Sequence, residues 1–102
     1  MIRVLALITA KPGRREEMLA AVRAVTPAVR AEQGCIEYQA VTDVAEFGAI
    51  QTKLGDDVYA VIETWSDADA LKAHGVAPHM KEFGQKVKDL IANRVIHVLT
   101  PI

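Results

Sequence analysis

A single cysteine, Cys35, stands in 102 residues, which excludes an internal disulfide and any metal centre built from several thiolates. Cys35 then reads as a small buried apolar filler, and the scarcity of thiols fits a cytoplasmic location. Long apolar runs are missing as well: nothing approaches the roughly 20 residues that span a bilayer, so no membrane partner is expected. Arg3 followed by Val4 to Ala10 imitates a short secretory core, but the Lys11-Pro12-Gly13-Arg14-Arg15-Glu16-Glu17 that follows offers no small-residue cleavage site. The run reads instead as a strand. Charge of one sign is lacking: 12 Lys and Arg face 13 Asp and Glu, the formal net charge is -1, and no basic stripe forms, so nucleic acid is a poor partner. Neither a glycine-rich phosphate loop nor a dinucleotide fingerprint nor a Ser-His-Asp order is visible, which argues against nucleotide-dependent and hydrolytic chemistry. Aromatic residues make up only 5% of the chain, so Ala, Val, Leu and Ile carry most of its 51% hydrophobic content. That is more apolar surface than one small domain, residues 1–102, covers alone, and a homo-oligomer is the simplest remedy.

Residues 2–10 are apolar on both alternating sets, as in a strand covered on both faces. After the Pro12-Gly13 turn, Met18, Val22, Val25 and Val29 recur at helical spacing and predict a helix over 14–32, with a kink near Arg23 to Pro27 where proline removes a donor. Gly34 suits the left-handed position after a helix, and Cys35 to Thr42 follows as a second strand. Residues 43–57 are long for a loop, as in a lid or an arm across a dimer, with a short extra strand expected where Ile50, Thr52 and Leu54 alternate with Gln51 and Lys53. Val58 to Trp65 is the clearest strand. Ser66 is the expected cap of a short helix that runs to about His74 and ends at Gly75. Pro78 opens another helix with Met80, Phe83, Val87 and Leu90 or Ile91 as its stripe, and residues 94–100 close the chain as a strand. The order strand, helix, strand, strand, helix, strand is that of an α+β ferredoxin-like (βαββαβ) antiparallel sheet with helices on one face. The other face, expected to carry Leu5, Leu7, Val61 and Trp65 or their alternates, needs a second copy against it. At roughly 25 cal/mol per Å², burying several hundred square ångströms drives such a homodimer amply.

Glu63 and Trp65, two apart on a strand, point the same way, and a carboxylate on an apolar face has a raised pKa unless it is paired. The plainer alternative is a strand-edge Glu bonded to backbone beside a core Trp. His74 and His79 lie five apart with Gly75 and Pro78 between them, so they are not the i, i+4 pair of a helical zinc site, and no metal is expected. In the first turn of a helix, His79 meets a field that favours its neutral, base-competent ring; at a helix end, His74 meets the opposite field and suits an oxyanion. Equally, both can be solvent-exposed helix-end histidines. His97 fits a structural role, and Tyr38 and Tyr59 either line a pocket or fill the core.

Gly34-Cys35 with Tyr38, then Glu63, Trp65, Leu71, His74, Pro78-His79 and Phe83 resemble the antibiotic biosynthesis monooxygenase family, especially its quinol monooxygenase-like members. The likeness covers nearly the whole chain, and Glu-x-Trp followed by His and Pro-His is its most specific part. It implies a dimeric α+β barrel that oxidises a small aromatic quinol or anthrone with O2, using no metal or flavin cofactor. On that resemblance His79, His74 and Glu63 are the catalytic candidates, either histidine as base or oxyanion partner and Glu63 as orienting or relay group, while Trp65, Tyr38, Tyr59 and Phe83 surround the substrate. Two alternatives remain: a non-catalytic dimeric module that binds a small aromatic, and a haem-binding or haem-degrading relative. The haem-degrading relatives use an asparagine on the first strand, where this chain has apolar residues and Thr9.

Overall fold

Alternation of branched apolar residues dictates the central strands, and helical spacing dictates what lies over them. The computed structural model describes residues 1–102. Its elements are β1 (Ile2–Ala10), α1 (Arg15–Arg30), β2 (Cys35–Val41), β3 (Val58–Trp65), α2 (Ala68–Gly75), α3 (Pro78–Val87) and β4 (Ile91–Leu99). The four strands form one antiparallel sheet in the order β2-β3-β1-β4, the ferredoxin-like arrangement, and the second helical region is split in two.

Register decides which apolar set meets the helices. Val4 pairs with Glu63, Ala6 with Val61 and Ile8 with Tyr59, while Tyr38 pairs with Glu63 from the other side. Directly paired residues share a face, and this one packs beneath α1, whose Met18, Leu19, Val22 and Val29 are buried against it. Val61 and Trp65 therefore lie under the helices, not on the open face where the sequence pattern left them. The open face carries Leu5, Leu7 and Ile62, all half-buried, with Val95 and Leu99 on β4. The edge strand β4 is also bare on the helical side, leaving Ile96 50% and Val98 59% exposed.

Four local expectations change. α3 ends at Val87, and Ile91 opens β4 instead of joining the helix's apolar stripe. Pro27 falls in the last turn of a continuous α1, where its missing donor interrupts little, and the Thr26 hydroxyl donates to the Val22 carbonyl at 2.6 Å. No strand forms at Ile50 to Leu54, because the Asp43 carboxylate accepts from the Leu54 and Gly55 amides at 2.8 and 3.0 Å, taking donors a ladder would use. Asp67 rather than Ser66 caps α2, accepting from the Ala70 amide at 2.8 Å. Ser66 instead ties α2 to the start of β2, its amide donating to the Gly34 carbonyl at 2.8 Å.

Candidate functional site

At the end of the sheet where β3 runs into α2, six polar and aromatic side chains converge. Glu63 and Trp65 share a face as i and i+2, and the Trp65 indole donates to Glu63 Oε1 at 2.9 Å. Trp65 is wholly buried and Glu63 nearly so. Burial pushes the Glu63 carboxyl up; the indole bond and nearby His74 oppose this, and the Glu32 charge adds to it.

His74, near the C-terminal end of α2, lays its ring on Trp65 with centroids 4.7 Å apart and planes at 36°, and stands 5.8 Å from the Tyr38 ring. The break at Val76-Ala77 lets Pro78 restart the chain as α3, with His79 in its first turn. Helical continuity would have splayed two histidines five apart; the break aims both at one atom. His74 Nδ1 and His79 Nε2 each lie 2.8 Å from Glu32 Oε2, in the turn between α1 and β2. An ionised carboxylate only accepts, so both of those nitrogens carry hydrogens. His74 Nδ1 and His79 Nε2 are thereby the donating nitrogens, and His79 Nδ1 lies outside the bond to Glu32.

Glu32 was absent from the sequence reading. Its only local signal is a polar residue after a helix, and its partners are 42 and 47 positions away.

Of the other expected site residues, Tyr38 joins the cluster. It is buried, and burial first, then Glu63, pushes its phenol far above the ordinary tyrosine range. Tyr59 does not join it: six residues along β3 from Trp65, it is about 20 Å away at ~3.3 Å per residue. Burial pushes its phenol up to about 12, as suits a core tyrosine. The Trp65 face on this side is taken by His74, so the indole supports a histidine rather than forming an open wall. Phe83, one turn beyond His79, borders with it an open cleft of about 230 Å³ between α1 and α3, with Ala21, Ala24, Val25 and Ala28 on one side and the charged Glu82 and Lys86 on the other. Glu32, His74 and His79 also place three donor atoms within 4.8 Å of one another, a set that can hold a cation. Cys35 is half-buried and its thiol is pushed up by burial, in keeping with a filler.

Residues 1–86 match the antibiotic biosynthesis monooxygenase family. The chain belongs to that family. A protein of Escherichia coli (strain K12) named "Probable quinol monooxygenase YgiN" is 32% identical over 103 residues, covering 99% of this chain and 98% of its own. The crystal structure of PA3566 from Pseudomonas aeruginosa superposes with a TM-score of 0.81 at 29% identity, covering 99% and 93% of the two chains. Rv0793 from Mycobacterium tuberculosis, at 22% identity and a TM-score of 0.80 over 99% and 94%, shares the fold. No helix of this family member is long and apolar enough to cross a membrane.

Glu63 makes a first prediction. A carboxyl whose folded pKa is raised gives stability that is complete below the unfolded value, about 4.3, and is lost as pH rises through the folded one. Unfolding free energy should therefore fall over that window in the wild type. Glu63→Gln keeps an acceptor for Trp65 but cannot ionise, so denaturant titrations at successive pH values should show the fall flattened relative to wild type. An unchanged pH dependence would show that Glu63 is not held protonated by its surroundings.

Proposed function

We propose that the protein is a cofactor-independent monooxygenase that oxidises a small quinol- or anthrone-like aromatic with O2 and works as a homodimer. The observation that supports this reading is the Glu32 carboxylate between two histidines, which holds His79 by Nε2 at the border of the cleft between α1 and α3. The name of the Escherichia coli relative supports the same class of substrate.

In this reading His79 Nδ1 takes the substrate's hydroxyl or enolic proton, and the resulting anion passes one electron to O2. Superoxide and the substrate radical combine into a carbon–oxygen bond, and the peroxide anion recovers the proton from His79. Breaking the O–O bond expels the outer oxygen as hydroxide, which leaves as water with the carbon-bound hydrogen, and the inner oxygen stays as a new carbonyl. One oxygen atom is thus inserted, the other leaves as water, and the substrate supplies all four electrons. His74, stacked on Trp65 and bonded to Glu32 through Nδ1, holds the carboxylate that positions His79. Glu32 acts through the histidines as a positioning residue.

Homodimerisation is supported by β4, whose Val95, Ile96, Val98 and Leu99 are 40 to 59% exposed beside half-buried Leu5, Leu7 and Ile62. Scattered exposed apolar residues need no explanation, but an exposed contiguous strand does.

The test is oxygen uptake by chelator-treated protein over a panel of quinols and anthrones. Consumption above the uncatalysed background, with one atom of 18O2 in the product, is expected. Binding of those aromatics without oxygen uptake would overturn the reading in favour of a non-catalytic module.

A further inference from the structure

We propose that Glu32, His74 and His79 form a binding site for a divalent transition cation of the zinc class, and that the bound ion switches off the base. The first half stands on the geometry alone; the second rests on the oxidation proposed above.

One carboxylate oxygen and two imidazole nitrogens are the donor types that such cations take, and three protein ligands leave a position for water. Here they come from three separate elements, the turn after α1, the end of α2 and the first turn of α3, so the overall fold sets their spacing. Both nitrogens already sit 2.8 Å from Glu32 Oε2, and all three ligand atoms fall within 4.8 Å. Bonds of about 2.0–2.2 Å to an ion require small side-chain rotations that draw the donors around a common centre.

Charge points the same way. The Glu32 side chain is only 12% exposed, yet its ionic partners are the two imidazoles and no Lys or Arg reaches it. A carboxylate so withdrawn from water is ordinarily paired with a full positive charge. A second carboxyl, Glu63, is buried close by. A divalent ion supplies the missing charge, and the 28% exposure of the His79 side chain gives it a way in.

Occupancy also changes the histidines. The ion takes the lone pairs at His74 Nδ1 and His79 Nε2, so each neutral ring carries its hydrogen on the opposite nitrogen. His79 Nδ1 then becomes a donor and ceases to be a base.

The probes are Zn2+ by calorimetry and Co2+ by visible absorption, titrated into the chelator-treated full chain. One ion per chain is expected. Outer-sphere partners alone change metal affinity by roughly 10–100-fold, so Glu32→Gln and His79→Ala should each weaken binding by at least that. His79→Gln serves where the alanine variant does not fold. His97→Ala removes the one histidine outside the cluster, on the exposed β4, and should leave the affinity unchanged. Saturable binding absent in the wild type, retained in the Glu32 and His79 variants, or lost in His97→Ala would overturn the site. Zinc should inhibit oxygen uptake with the midpoint of its calorimetric binding; binding without inhibition would overturn the second half. If the metal-free protein consumes no oxygen, the proposed oxidation falls, while calorimetry still decides the site.

Discussion

Replacing both His74 and His79 by alanine should lower quinol-dependent oxygen uptake by about 10²–10⁴-fold, the range that a positioned acid or base contributes. The two rings divide the work: one leaves a free nitrogen beside the cleft, and the other faces Trp65 and Tyr38. Loss of both also strands the Glu32 carboxylate, 12% exposed, without a donor, which costs stability. A fall in activity could then reflect unfolding, so His79→Gln is the sharper variant. Its amide can donate to Glu32 but cannot accept a proton at neutral pH. The folded His79→Gln protein should show most of the double variant's loss of activity while binding the aromatic nearly as well, which appears as a lower kcat with KM little changed. Wild-type rates in that variant would remove His79 from the mechanism.

Gly34→Ala should destabilise the protein by about 2–5 kcal/mol, the sum of a left-handed backbone cost and overpacking. Gly34 has φ +84°, and a Cβ there would lie 2.6 Å from both Ala70 Cβ and Ser66 Oγ. The Ser66 hydroxyl can rotate aside, but Ala70 Cβ has no torsion to turn and its backbone is held by the Asp67 cap. The clash pushes the start of α2 away from the turn that carries Glu32. His74 rides on α2, so the folded fraction of the variant should also lose activity. Gly13 provides the contrast: φ is +76° but nothing lies within 4 Å of its added Cβ, so Gly13→Ala should cost only about 1–2 kcal/mol and spare activity. Denaturant midpoints of the two variants decide the matter, and equal losses would show that the close approach at Gly34 is unimportant.

Local pattern was enough for the elements and too little for the site. β1 and β3 lie where alternation and turn residues put them, at Ile2–Ala10 and Val58–Trp65, and α1 differs from its expected span by one or two residues at each end. Each is fixed by neighbours within one or two turns of chain. The faces were another matter. With apolar residues on both alternating sets of β1, nothing in that strand says which set meets α1, and the Val4–Glu63 and Leu5–Ile62 pairings settle it. Trp65 thereby moved from the open face to the core. Similarly, the alternation at Ile50 to Leu54 mimicked a strand until the Asp43 carboxylate, eleven positions from Leu54, took the amides. Glu63, Trp65, Tyr38 and His74 were legible as candidates because they sit on regular elements with known spacing. Glu32 was not, since its role depends on a turn, a helix break and a carboxylate meeting across more than 40 residues.

Histidine ring 15N spectra of the chelator-treated protein test the central geometry most directly, without knowledge of the substrate. His74 should appear as the Nδ1–H tautomer and His79 as the Nε2–H tautomer, and Glu32→Ala, which removes the shared acceptor, should release both into the mixture typical of unconstrained rings. If both rings already show that mixture in the wild type, no carboxylate holds them, and the account of this site is wrong.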